Sequence, residues 1–175
     1  MHAPSKPDYP TITPDKMAKY DAFLFGVPPL SFPFLSQSIP MNQQLISLGI
    51  PTRFGNFPAQ WRTFWDSTGQ LWASGGLWGK YAGLFISTGT QGGGQESTAL
   101  AAMSTLAHHG MIYVPLGAKT CARLLAELEE VRGGSSWGAG TFSGNGSRQP
   151  SEKELELARI QGEAFWKAVV KVGFE

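Results

Sequence analysis

The run YAGLFISTGTQGGGQESTALAAMSTLAHHG, Tyr81 to Gly110, decides the fold. Tyr81 to Ser87 is a short apolar run of the kind that forms a strand buried on both faces. Ser87 to Glu96 follows as a glycine-rich loop, and Glu96 to His109, rich in small and apolar residues, reads as a helix. Strand, Gly-rich loop, helix is the layout that brings backbone amides to phosphates in many nucleotide-binding proteins. Yet the loop lacks the Lys of a GxxxxGK[ST] sequence, and TQGGGQ does not fit the GxGxxG spacing. Three successive glycines each cost roughly 0.5–1 kcal/mol of extra chain entropy, so ligand contact explains them better than packing. The loop alone leaves that ligand open between something flat and something anionic.

Outward from this unit the same alternation continues. Tyr20 to Gly26 and Met111 to Leu116 read as further buried strands, and Pro58 to Ser67 as a helix with Pro58 near its first turn. Gly69 to Lys80, carrying Trp72 and Trp78, is glycine-rich enough to predict a surface loop. Alternating strands and helices imply a parallel sheet with helices on both faces. Residues 132–150 form a long Gly/Ser-rich segment, of a length that marks function or disorder. Ser151 and Glu154 make a capping box, so a helix starts there. Its apolar face is expected at Leu155, Ala158, Gly162, Phe165, Val169 and Val172. Residues 27–49 have four prolines and no period of either kind.

With 175 residues, 42% of them hydrophobic, the chain suffices for one domain, expected to span 1–175. A formal charge of +1 offers no basic stripe for nucleic acid. Cys121 is the only cysteine, which excludes an intramolecular disulfide and favours a reducing compartment. MHAPSKPDYPTITP has no apolar core of a signal peptide and reads as an extended lead-in. Ala22 to Thr52 is uncharged, but five prolines argue against a transmembrane helix.

In an open parallel sheet, ligands sit beyond the carboxyl ends of the strands. Pro51-Thr52-Arg53-Phe54-Gly55-Asn56 puts a guanidinium, an aromatic ring and free amides in one turn; the alternative is a helix start with Phe54 in the core. His108 and His109 at a helix end are open between a cap and a cofactor hydrogen bond, and with no further His/Cys cluster no metal is expected. Trp72 and Trp78 are open between burial and stacking on a ligand. Ser87 has no GxSxG surroundings, which argues against a hydrolase.

Taken in order, IPTRFGNFPAQWRTFWDSTGQLWASGGLWGK, STGTQGGGQE, TLAHHGMIYVPLG and GAGTFSGNGSRQPSEKELELARIQGE resemble the flavodoxin-like NAD(P)H:quinone oxidoreductases of the WrbA type, especially fungal members. The resemblance covers nearly the whole chain except residues 27–49. It implies a flavodoxin-like doubly wound α/β/α fold and an FMN site. Thr52, Arg53 and Phe54 would lie against the isoalloxazine, and Ser87, Thr88, Gly89, Thr90, Gln91 and Gly92 would hold the ring edge and ribityl region. Gln91 stands where many relatives have Gly. His108 would reach the flavin, and Trp72 would wall the pocket where nicotinamide and quinone bind in turn. The implied chemistry is hydride transfer from NAD(P)H to FMN, then two-electron reduction of a quinone. A homotetramer with sites completed across subunits, a cytoplasmic or membrane-peripheral location and a link to oxidative stress are implied as well.

Two departures from the family carry expectations of their own. MHAPSKPDYPTITP matches an internal family segment, so the first two strands and the phosphate loop between them are expected to be missing, leaving the strand at Tyr20–Gly26 as an uncovered edge. Residues 27–49 interrupt what would otherwise read FLFG-IPTRFGN. They read as a translated intron or a lineage insertion, and are expected to displace Thr52 to Phe54. The chain as written is then expected to bind FMN weakly or not at all, and the competing readings are an inactive flavodoxin-like scaffold subunit and a truncated gene product unable to bind FMN.

Overall fold

The computed structural model describes residues 12–25, 45–48, 50–144 and 146–171. The strands β1 (Ala22–Phe25), β2 (Leu45–Leu48), β3 (Ile50–Pro51), β4 (Tyr81–Leu84), β5 (Ile86–Thr88), β6 (Ile112–Tyr113) and β7 (Gly140–Phe142) pair only in parallel. They run in the orders β2-β1-β4-β6 and β3-β5-β7. Since β4 and β5 are separated only by Phe85, the two groups are the lower and upper halves of one sheet.

The registers show what residues 27–49 do. Ala22 faces Tyr81 and Phe25 faces Leu84, while Ile50 faces Ile86. Thus β1 and β3 occupy one lane beside β4–β5, Phe25 level with Leu84 and Ile50 level with Ile86 two residues on, so that the lane needs a single residue between them and the rest of the sequence from 26 to 49 is surplus to it. Those surplus residues include β2, which lies along the outer side of β1 with Leu45 level with Ala22. The expected uncovered edge at β1 is therefore covered, by a strand of the interrupting segment itself. Residues 26–44, and with them the expectations for most of that segment, lie outside the described residues.

The opposite lane is interrupted too. β6 faces the start of β4 and β7 faces β5; between them the chain leaves the sheet and forms α5 (Ala122–Ala126). That excursion is why the strand expected over Met111–Leu116 is only two residues long. Its return is fixed by Gln161, whose Oε1 accepts from the Ala139 N–H (2.8 Å) while its Nε2 donates to the Leu84 carbonyl (2.8 Å). At Gly138 a Cβ would stand 1.9 Å from the Leu84 oxygen, so only glycine fits.

Consecutive strand residues point to opposite faces, so Phe23 enters one core and Ala22 the other. The first core joins the sheet to α2 (Ala59–Asp66) and α4 (Gln95–His108) through Trp65, Ala99, Ala102 and Leu106. The other face is covered by α5 and α6 (Glu152–Val169) through Leu124, Leu157, Phe165 and Val169. The capping box of α6 is formed as expected, but its most buried residues are Glu154, Leu157, Gln161, Phe165 and Val169. Two of these are polar because they complete hydrogen bonds that the interrupted sheet leaves open. Pro58 is the N-cap of α2, next to its first turn as expected, whereas the expected loop at Gly69–Lys80 begins with a helix, α3 (Gly69–Ala73). Residues 1–11 of the lead-in lie outside the described residues; its last residue, Pro14, opens a short helix, α1 (Pro14–Met17), capped by Thr13. No described helix is long and apolar enough to cross a membrane.

Candidate functional site

Three loops meet beyond the carboxyl ends of β3, β5 and β7. The first is a hairpin turn in which Arg53 N–H donates to Asn56 O (2.6 Å) and Asn56 N–H to Arg53 O (2.9 Å). Its two central residues, Phe54 and Gly55, have φ of 52° and 71°, the signature of a type I′ turn. An aromatic residue there costs about 1–2 kcal/mol of backbone strain. Phe54 gains no packing in return, because its side chain is 105% exposed; the core alternative for it is excluded.

The turn is held in place despite the interrupting segment. Thr52 N–H donates to Ser87 O (2.9 Å), and Ser97 Oγ donates to Gly55 O (2.8 Å). Thr98 spends its proton on Gly94 O (2.8 Å), so the 3.0 Å contact between Thr52 and Thr98 hydroxyls has Thr52 as donor. Gly94, in the left-handed region at φ 94°, lets the turn approach: a Cβ there would be 2.6 Å from Gly55 Cα. The expected displacement of Thr52 to Phe54 does not occur, since β3 is anchored on β5 rather than carried by β1.

The second loop, Ser87 to Gly94, leads into α4. Thr88 is buried and its hydroxyl donates to Thr90 O (3.0 Å), which also accepts from Gly93 N–H (3.0 Å). Gly89, Thr90, Gln91 and Gly92 are exposed, and among the described residues their backbone N–H groups donate to no protein acceptor. Four consecutive free amides, in a loop whose ends hold the turn with the exposed Phe54 ring, suit a flat ligand with acceptors along its edge.

The third loop follows β7, within the Gly/Ser-rich segment 132–150 that the sequence marks by its length, although none of its residues is assigned a role there. Ser143 N–H donates to Thr88 O (2.8 Å), and Gly144 O lies beside Gly89. Arg148 anchors it from behind: Nη1 donates to Phe142 O and to Glu154 Oε2 (both 2.9 Å), and Nη2 to Val131 O (3.2 Å). Buried Glu154 also accepts from Gly133 N–H (2.8 Å), the Thr141 hydroxyl (2.7 Å) and Ser151 N–H (3.0 Å). The available signal was the Arg148-to-Glu154 spacing across the capping box.

Trp72 and His108 are not brought to these loops. His108 is exposed at the end of α4, whose 14 residues set it about 20 Å from the Gly94 end. Trp72 is 58% exposed on α3, close to the same far end, where Gly79 N–H donates to Gly110 O. Neighbouring His109 is buried. Thr68 Oγ1 donates to Trp65 O (2.7 Å), so its 2.9 Å contact with His109 Nε2 must receive the ring's N–H. Nδ1 then carries the lone pair, buried and without a partner among the described residues. Burial, and secondarily His108, push the His109 pKa down. No group of three or more His, Cys, Asp or Glu able to hold a metal occurs among the described residues.

No protein-family model matches the chain. It is 58% identical to the minor allergen Cla h 7 of Davidiella tassiana over 176 residues, covering 100% of this chain and 76% of that protein. It is 51% identical to the NAD(P)H quinone oxidoreductase PST3 of Candida albicans and 53% identical to PST1 of the same organism, covering 98% of this chain in both cases and 75% and 74% of those proteins. Among solved structures, a WrbA-like flavodoxin from Agrobacterium tumefaciens superimposes with a TM-score of 0.50 at 16% identity, over 86% of this chain and 69% of the other.

Proposed function

Because this chain belongs to the family of the fungal NAD(P)H quinone oxidoreductases and has a flavodoxin-like fold, we propose that it is an FMN-dependent NAD(P)H:quinone oxidoreductase. The observation that carries the reading is the run of free, exposed amides at Gly89–Gly92, in a loop whose two ends, Ser87 and Gly94, hold the turn that carries the strained, solvent-facing Phe54. Strain without packing return is kept where a ligand uses it. The residues fit the cofactor: the edge of an isoalloxazine presents carbonyl and ring-nitrogen acceptors to backbone donors, and its face presents a surface to an aromatic ring.

Bound there, FMN would supply the two-electron redox chemistry that links NAD(P)H to a quinone. The chain's own residues bind and orient. Thr52, Arg53 and Phe54 form one side of the site, and Ser87 to Gly92 supply donors along the other. The buried Thr88 hydroxyl closes the loop on Thr90 O rather than facing outward.

Trp72 and His108 lie too far from these loops to serve the same site within one chain. A role for them at a flavin therefore requires a second copy, whose α3 and α4 end is brought against the loops of the first. Such an assembly covers the exposed rings of Phe54, Trp72 and Trp78.

Titration of FMN into the purified protein, read by quenching of flavin fluorescence and by NAD(P)H oxidation with a soluble quinone, tests the reading. Saturable quenching with quinone-dependent turnover is expected. A colourless protein that leaves FMN fluorescence unchanged refutes it and favours a scaffold role.

A further inference from the structure

Gln95, the first residue of α4, is not part of any ligand-facing surface described above, yet its side-chain amide touches three separate segments. Its Nε2 donates to Thr141 O on β7 (2.9 Å) and to Thr88 Oγ1 at the root of the glycine-rich loop (3.3 Å). Its Oε1 accepts from Gly134 N–H (2.9 Å), on the segment returning to the sheet. The amide orientation is fixed by its partners, since Thr141 O can only accept and Gly134 N–H can only donate. Space is matched to it as well: a Cβ on Gly140 would lie 2.4 Å from Gln95 Oε1.

The contact with Thr88 has a direction that matters. The Thr88 hydroxyl has one proton, and it goes to Thr90 O, the carbonyl that also receives Gly93 N–H. Gln95 donates to the same hydroxyl's lone pair, so it holds the rotor in the orientation that closes the loop. The free amides of Gly89–Gly92 are presented by that closed loop.

We propose that Gln95 is a positioning residue: through Thr88 it sets the conformation of the Ser87–Gly92 loop and so the affinity of the site for flavin, the second clause resting on the function proposed above. Gln95→Glu keeps the size but replaces both donors with an acceptor. The Thr88 hydroxyl then turns to the carboxylate and abandons Thr90 O, and the new carboxylate oxygen repels Thr141 O. Gln95→Leu removes all three bonds without charge.

The test has two arms. In flavin-free protein, amide hydrogen exchange is followed over residues 86–94 and 132–143, with Tyr81–Leu84 and the centre of α6 as internal controls. Both variants are expected to raise exchange in the two site segments about tenfold while the controls stay at wild-type protection. In the second arm, FMN titration is expected to show affinity falling about tenfold, with a changed absorption envelope for the flavin that does bind. Unchanged exchange at 86–94 overturns the positioning role. A rise spread equally over the controls also overturns it, since that marks general destabilisation. Wild-type protein that fails to bind FMN refutes the proposed function alone, and the exchange arm then still decides what Gln95 does to the loop.

Discussion

Replacing Glu154 by Gln isolates the polar pattern behind the site, because it alters neither volume nor helix length. Four donors converge on the two carboxylate oxygens: Gly133 N–H on Oε1, and Thr141 Oγ1, Ser151 N–H and Arg148 Nη1 on Oε2. An amide offers one acceptor and one donor group. In its better orientation the amide oxygen keeps the three partners of Oε2, and the amide NH₂ is left facing the buried Gly133 N–H. An unsatisfied buried donor costs about 1–3 kcal/mol. Losing the charge toward Arg148 adds about 1 kcal/mol or less, since the arginine is 30% exposed and solvent screens it. The expected loss is about 3 kcal/mol, or a fall in Tm of about 6–12 °C for a chain of this size. Urea and thermal melts of flavin-free protein measure it. A loss below about 1 kcal/mol would falsify the claim that this carboxylate is matched by donors alone.

Phe54→Asn places the residue that type I′ turns prefer at a position where the ring packs on nothing, so stability should rise by about 1 kcal/mol while flavin affinity falls. A melt and an FMN titration on one preparation read both, and a drop in stability contradicts the strain assignment. His109 has a folded pKa below its unfolded value, so the unfolded state binds the extra proton. Its contribution to stability is therefore full above the unfolded pKa near ~6.5 and is lost as pH falls through that value toward the lower folded one. His109→Gln should flatten this acid-side slope in denaturant midpoints taken across the window; an unaltered slope assigns it to other groups. Deleting residues 27–49 joins Gly26 to Ile50 without changing any register between β1, β3 and the β4–β5 strand. The shortened chain should unfold in one cooperative transition and keep Thr52 N–H protected against exchange; loss of that protection would show that the segment holds the turn.

The parts legible in the sequence were those whose partners lie close together along the chain. Ser151 and Glu154 are three residues apart, and their capping box is present as read. The strand-loop-helix unit around Ser87–Glu96 is likewise local. What escaped depends on distant partners. Glu154 and Gln161 look like solvent-facing positions of α6 until Gly133, Ala139 and Leu84 are brought against them from other segments. The interrupting segment was visible as an interruption, but not that its last strand would pair with β1 or that β3 would draw its position from β5. At the HHG sequence the two histidines are indistinguishable by type, and only the Thr68 contact reveals that the buried one is His109.

The distance between the Phe54 end and the Trp72 end also has a genetic reading. If each centre is built from two chains, a chain lacking Phe54 and a chain lacking Trp72 are both inactive alone, yet a mixture contains pairs in which one centre has both residues intact. Two null alleles of this protein should therefore rescue one another when co-expressed, whereas either allele mixed with itself should not. Such interallelic complementation, scored as regained quinone turnover in co-purified variants, turns a distance along one helix into a growth or activity phenotype.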